Sequence, residues 1–417
     1  MKFKIQNFGP ITEGFKRDDG FLHLDGVTLF IGGQGTGKSS VAKSLSTMLW
    51  LEKALLKEDF TEKQLMAPGK FKSFFSYQGI FDYFRKKTVL DYQGRYYRLS
   101  YIEERLAITK MDTHDLIEQP KIMYVPSERN FLSSCKKPST IAGLQPSLIT
   151  FLDEFENAKR AITAPIALPV DRSSYAYDRL NDISWIERRG NRTRLTFASS
   201  GYQSLVPLFL VTDYLANFLE QDRMAVTAHQ MRLIREKLNA LPLAEGLASG
   251  TAISVLKESP FITLDDIRSS SKAVQQILKR YRPSHTINVV EEPEQNLFPD
   301  SQTRMMYSLL AYRNRNPLNR LIITTHSPYV LSAGSLAAAC SATFAKNNSA
   351  AEELEKIVPS DAWIDPDTLT VYEIDEDGMI EKLDTYDNLP SDDNYLNNAL
   401  GSFNDAFETI FDLEDSL

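Results

Sequence analysis

Eight consecutive residues constrain this chain more than any others: Gly32, Gly33, Gln34, Gly35, Thr36, Gly37, Lys38 and Ser39 read GGQGTGKS. They follow the apolar run VTLFI and open a segment, Ser39 to about Glu58, whose apolar residues recur at helical spacing. Ser39 and Ser40 are available to serve the helix start. Strand, glycine loop and helix in that order satisfy G-x-x-x-x-G-K-[ST] in the context that gives the pattern meaning. Glycines let consecutive backbone N–H groups turn inward around a β-phosphate, and the helix start adds its partial positive charge. Lys38 then reaches the β and γ oxygens, while the Ser39 hydroxyl is placed on Mg2+. The loop therefore predicts a nucleoside triphosphate site formed by Gly32 to Ser40.

Such a site needs a carboxylate at the end of a neighbouring strand for the metal, and hydrolysis needs a residue that positions water. INVVEEPE offers both. The apolar strand Ile287 to Val290 delivers Glu291 and Glu292 side by side, and strand alternation is expected to send them opposite ways, one to the metal's water shell and the other to the γ-phosphate. His326 follows the strand-like LIITT, at the edge of an α/β sheet where ligands collect. Ser199, Ser200 and Gly201 stand at the start of a long apolar helix, where hydroxyls, N–H groups and the helix dipole suit an anion or simply cap the helix.

Bulk properties narrow the setting. The 417 residues suit an intimate pair of lobes, and no apolar stretch approaches the ~20 residues of a membrane span. The opening MKFKIQNFGPI alternates like a strand and lacks a secretory signal, and two cysteines give no disulfide framework, so a cytoplasmic setting is expected. A net charge of -8 argues against a surface that coats DNA. The stripe ERRGNRTR, Glu187 to Arg194, is preferred as a solvated hairpin turning at Gly190-Asn191 over a phosphate contact. Residues 220–283 read as a helical insertion, and VYEIDEDGMIEKL reads as a hairpin with an Asp-Gly turn in preference to an Asp375/Asp377 metal pair. The last segment, NALGSFNDAFETIFDLEDSL, sets phenylalanines at helical spacing with acids opposite; docking on the chain's own core is preferred to docking on a partner.

Taken in order, these segments resemble the ABC-type ATPases, the group that includes SMC, RecF-like and OLD-like proteins. ASSGYQ, Ala198 to Gln203, resembles the signature loop, with Ala198 and Ser200 where leucine and glycine are usual. TTHSPY resembles the switch segment, whose histidine contacts the γ-phosphate side. IQNFGPI and EEPEQNLFP look like the first strand and acidic segment of RecF-like and OLD-like members, with Glu291 in place of aspartate. YVPSER falls where the family has its Q-loop but holds no glutamine, which leaves Arg129 a phosphate-sensing or interlobe role.

The resemblance implies an α/β fold: an ABC-type head of mixed sheet core and antiparallel lobe over 1–219 and 284–335, the insertion over 220–283, and an acidic segment over 336–417 that completes the head or docks a partner. It also implies slow ATP hydrolysis with Mg2+, the metal held by Ser39 and Glu291, with Glu292 and His326 as catalytic residues. The signature loop of one copy, Ser199, Ser200, Gly201 and Gln203, would close over ATP bound to a second copy. The expected partners are a head-to-tail second copy, higher oligomers, and a separately encoded effector such as a nuclease or toxin, as in bacterial anti-phage systems. The alternative is a RecF-like DNA-clamping ATPase. No membrane partner is expected.

Overall fold

The computed structural model describes residues 1–112, 117–225, 228–241 and 261–415. Its centre is five parallel strands in the order Leu369–Ile374, Val27–Gly32, Arg320–Thr324, His285–Glu291 and Pro120–Val125. Every residue of Val27–Gly32 and His285–Glu291 is buried, as expected of parallel strands covered on both faces. An antiparallel strand, Met379–Lys382, and the short Gly14–Phe15 extend one edge.

Alternation along the strands builds two cores. Leu29, Ile31, Val290 and Ile323 face the helices Pro146–Ala161, Ser200–Glu220, Pro299–Asn314 and Pro328–Lys346. Phe30, Val289 and Ile322 face the helix Lys38–Lys57, whose Val41, Leu45 and Met48 also share a core with Phe3, Ile5, Leu90 and Leu99. Those last residues belong to an antiparallel sheet ordered Leu22–His23, Lys2–Phe8, Phe84–Gln93, Tyr97–Ile102 and Arg105–Lys110. The P-loop helix is thus clamped between two sheets, which fixes its first turn.

The Ser200–Glu220 helix carries Pro207 in its interior, at a cost of about 3 kcal/mol. Leu205, Val206, Leu208, Phe209, Leu210 and Val211 are buried around it, each contributing roughly 1.5–3 kcal/mol. Burial wins, and the helix runs on. The hairpin Ile183–Arg188/Asn191–Arg194 forms, but it turns through Arg189 and Gly190, one residue earlier than the expected Gly190-Asn191, because Asn191 pairs with Arg188 and both loop residues take the positive φ a two-residue loop requires.

Three further expectations change. The insertion is not wholly helical: Arg223–Ala225 pairs antiparallel with Phe261–Thr263 beside the helices Ala228–Asn239 and Lys272–Lys279. Met224 and Ile262 bury their side chains from this ribbon, and Ser271, accepting from the Val274 N–H, starts a new helix within DDIRSSSKAV. Residues 226–227 and 242–260 of the insertion lie outside the described residues. Second, residue 335 is no boundary, since it lies within the Pro328–Lys346 helix, and Leu369–Ile374 enters the central sheet directly beside the P-loop strand. The Asp-Gly turn that follows is a hairpin, with Asp375 Oδ1 accepting from the Met379 N–H at 2.8 Å.

Third, the terminal helix Tyr395–Asp415 is anchored at its start and exposes apolar side chains near its end. Leu396 is buried and the Tyr395 N–H donates to Glu373 Oε2 at 2.9 Å, whereas Phe407, Ile410, Phe411 and Leu413 are exposed.

Candidate nucleotide site

Parallel register brings the functional segments to one edge of the sheet. Glu291 pairs with Thr324, and Thr324 with Phe30, so the acidic strand, the switch strand and the P-loop strand end together. The P-loop turns through Gly32, Gly35 and Gly37 at φ 137°, 81° and 113°. Gly32 and Gly37 also have no room for a side chain: an added Cβ would lie 2.2 Å from the Ile374 carbonyl oxygen at one and 2.6 Å from Ile11 Cδ1 at the other. Gly37, not a serine, caps the helix, which begins at Lys38. Gly33 and Thr36 are buried, with Thr36 Oγ1 donating to the Gly33 carbonyl, while Gln34 and Gly35 form the exposed tip. Ser40 is buried and its carbonyl accepts from Ser44 Oγ.

Lys38 is drawn back onto its own loop. Its ammonium donates to the Gly32 and Gly33 carbonyls at 2.9 and 2.6 Å, and burial pushes its pKa down to about 8 against the charges of Glu292, Glu294 and Glu291. An anion in the loop would satisfy this buried cation better than two neutral carbonyls do.

Glu291 is almost fully buried at the end of its strand. Burial raises its pKa, and the charge of Lys43 and the nearby hydroxyls of Tyr124 and Ser39 oppose this. Its Oε1 has no protein partner. An orphaned carboxylate oxygen next to the P-loop serine fits Mg2+, a hard cation with oxygen ligands. Among the described residues no group of three or more His, Cys, Asp or Glu is arranged to hold a metal alone. Phosphate oxygens would therefore have to complete the shell around Ser39 and Glu291. When bound, the metal would supply charge neutralisation at the β and γ oxygens.

Glu292 is directed by backbone conformation rather than by alternation. It lies just past the strand at φ 45°, a left-handed value sparsely used by non-glycine residues, with its N–H donating to the Thr324 carbonyl at 2.8 Å. This turn aims the half-exposed carboxylate at His326, leaving Oε1 3.9 Å from Nε2, too far for a direct hydrogen bond. Burial and the Lys38 charge hold the imidazole below its usual pKa, so it is neutral at pH 7. A carboxylate and a neutral imidazole thus face one small gap beside Lys38.

Two residues escaped the sequence reading. Glu294, the third acid of EEPE, is half-buried, accepts from the His326 N–H at 2.7 Å and holds the switch turn in place. Its position straight after Pro293 in an acidic run was the available signal. Tyr395 gave none: it comes from the far end of the chain, and its hydroxyl would lie 3.2 Å from a Cβ on Gly33.

Arg129 departs from its phosphate-sensing expectation. It is fully buried, with Nε donating to the Ser204 carbonyl, Nη1 to the Pro126 and Glu291 carbonyls, and Nη2 to the Glu292 carbonyl, at 2.6–3.1 Å. It clamps the acidic turn to the Ser200–Glu220 helix.

At that helix start, Ser199 and Ser200 are exposed, and neither hydroxyl makes a hydrogen bond among the described residues. Gly201 is required by contact, since a Cβ there would lie 2.9 Å from the Asn296 carbonyl oxygen. Gln203 Nε2 donates to the Thr196 carbonyl at 3.1 Å, tying down the preceding turn. No hydrogen bond or ion pair joins Ser199, Ser200 or Gly201 to the P-loop of the same chain among the described residues.

Comparison with known proteins returns no matching family profile and no matching curated protein. Among solved structures, the chain is similar to the SMC head domain from Thermotoga maritima, at 11% identity and a TM-score of 0.33, covering 80% of this chain and 90% of that one. It is also similar to a nucleotide-free ATP-binding cassette from an ABC transporter, at 10% identity and a TM-score of 0.27, covering 93% of each chain. No described helix is long and apolar enough to cross a membrane.

Proposed function

We propose that the chain is an ABC-type ATPase that binds MgATP in the P-loop and dimerises head to tail around it. One observation supports this most: the P-loop serine, a buried carboxylate with a free oxygen, a second carboxylate and a neutral histidine meet at one sheet edge. In this reading Lys38 leaves the Gly32 and Gly33 carbonyls for the β and γ phosphates, and Ser39 and Glu291 hold the metal. Glu292 accepts the proton of the attacking water, while His326, held by Glu294, donates toward the γ-phosphate. Ser199, Ser200 and Gly201 of a second copy supply the hydroxyls and helix start that meet the γ-phosphate from the other side.

With no nuclease or toxin centre evident among the described residues, the ATP-dependent dimer would act on a separately encoded effector, and we place it in anti-phage defence as a sensor or scaffold. A DNA-clamping ATPase is the second reading. It draws on the exposed hairpin, where Arg189 and Arg194 have no carboxylate partner among the described residues, although Arg188 and Arg192 are paired to Asp171 and Glu187. Steep salt dependence of duplex binding would favour it.

Glu292→Gln tests the ATPase reading. Turnover is expected to fall roughly 100-fold or more while ATP binding persists and light scattering shows an ATP-dependent dimer. Unchanged turnover would remove Glu292 from the reaction, and a monomer at saturating ATP would remove the dimer.

A further inference from the structure

The terminal helix Tyr395–Asp415 presents an apolar face to water. Phe407, Ile410 and Phe411 recur at the i, i+3, i+4 spacing of one helix face, and each is more than half exposed. Glu408 and Asp412 stand one turn apart on its flank, and residues 395–415 hold five acids and no Lys, Arg or His. Buried Leu396 and the bond from the Tyr395 N–H to Glu373 pin the helix start, and the far end stays off the chain's own core. Large apolar side chains grouped in this way mark a surface that another surface covers.

The same molecule carries a surface of matching chemistry. Residues 63–110, which include three strands of the antiparallel sheet, contain ten Lys and Arg against four Asp and Glu, a local positive excess in a chain of net charge -8. Beside this lobe, between the helix Lys38–Lys57 and the strand Pro120–Val125, a cavity of about 350 Å³ opens. Trp50, Phe74, Tyr77, Ile122 and Met123 supply its apolar lining, and no charged side chain lines it. Trp50 and Tyr77 are themselves exposed.

One cation stands over this aromatic surface. Lys70 lies above the Phe74 and Phe60 rings, its Nζ 4.9 and 5.4 Å from their centroids, and has no carboxylate partner among the described residues. Asp153 lies near Tyr77, so an acidic flank fits with its charges toward Lys70. A pocket without charges accepts an aromatic side chain, and the ammonium beside it accepts a carboxylate.

We propose that the chain self-associates without nucleotide through a helix-in-groove contact. The Phe407, Ile410 and Phe411 face of one copy's terminal helix seats in the Trp50, Phe74 and Tyr77 groove of a second copy, with Glu408 and Asp412 toward Lys70. This contact is distinct from the one across ATP and would join ATP-bound pairs into larger assemblies. Its groove is built on the helix that begins at Lys38, so an occupied groove bears on the element that carries the P-loop lysine.

The test is sedimentation of the full chain carrying Lys38→Ala, without nucleotide, so that association across ATP plays no part. A concentration-dependent shift to larger species is expected. A helix variant, Phe407→Asp with Phe411→Asp, and a groove variant, Lys70→Glu with Tyr77→Glu, change exposed positions only. Each should weaken self-association at least roughly tenfold, as loss of buried anchors does. Mixed, the two variants should associate one to one, because each supplies the half that the other lacks, and that recovery shows both to be folded. A parent chain that stays monomeric at every concentration would overturn the proposal, as would association that either variant leaves unchanged or a mixture that stays monomeric.

Discussion

In the proposed function the P-loop edge and the Ser199–Gly201 turn both meet an anion, yet they differ in how far each is complete. At the P-loop edge the chain holds its own groups in place, Lys38 on two carbonyls and the His326 N–H on Glu294, and leaves Glu291 Oε1 without a partner. At the turn, the Ser199 and Ser200 hydroxyls stand exposed at a helix start and make no hydrogen bond among the described residues. Under the proposed function the first region would hold a nucleotide by itself and the second would be half a site. A surface that leaves such donors beside a glycine packed on Asn296 teaches where a second copy would complete the chemistry.

The largest expected effect separates the two regions outright. Lys38→Ala should weaken ATP binding by roughly 100-fold or more, as loss of a buried cation facing phosphates implies, whereas Ser199→Ala with Ser200→Ala should leave single-chain affinity unchanged in calorimetry at low protein concentration. Equal losses would erase the contrast.

Next comes the clamp that joins them. Arg129→Leu strands the Pro126, Ser204, Glu291 and Glu292 carbonyls in the interior, so denaturant unfolding should show a loss of about 3 kcal/mol or more. A loss under about 1 kcal/mol would mean that the acidic turn and the helix are held by other contacts.

The smallest effect is a pH dependence confined to the committed side. Lys38 has a pKa of about 8 in the free protein, and bound phosphate favours its charged form. Above pH 8 the free lysine loses its proton and must regain it on binding, so affinity should fall as pH rises, by up to about tenfold per unit. Affinity that stays flat to pH 9.5 would contradict the enclosed lysine.

What could be read beforehand was what is local. The glycine loop, the Gly190 and Asp-Gly hairpins and the buried acidic strand carry their causes within a few residues. What could not be read depends on distant partners. Leu369–Ile374 lies beside the P-loop strand, although some 340 residues separate them in the chain. The left-handed turn at Glu292, anchored on Thr324, and the role of Arg129, set by four carbonyls from three segments, also depend on tertiary contacts. Tyr395 reaches Gly33 only once the last helix start is pinned by Glu373.

Complementation between two inactive variants tests the shared site most directly. Ser200→Glu places an acid where a helix start tolerates it but where a partner's γ-phosphate would be repelled, and Glu292→Gln removes the water-positioning carboxylate; each alone should be inactive. Mixed, they should regain ATP turnover well above the sum of the two separately, because one site in each mixed dimer is intact. Turnover no higher than that sum, with mixed dimers shown to form, would contradict a nucleotide shared between two copies.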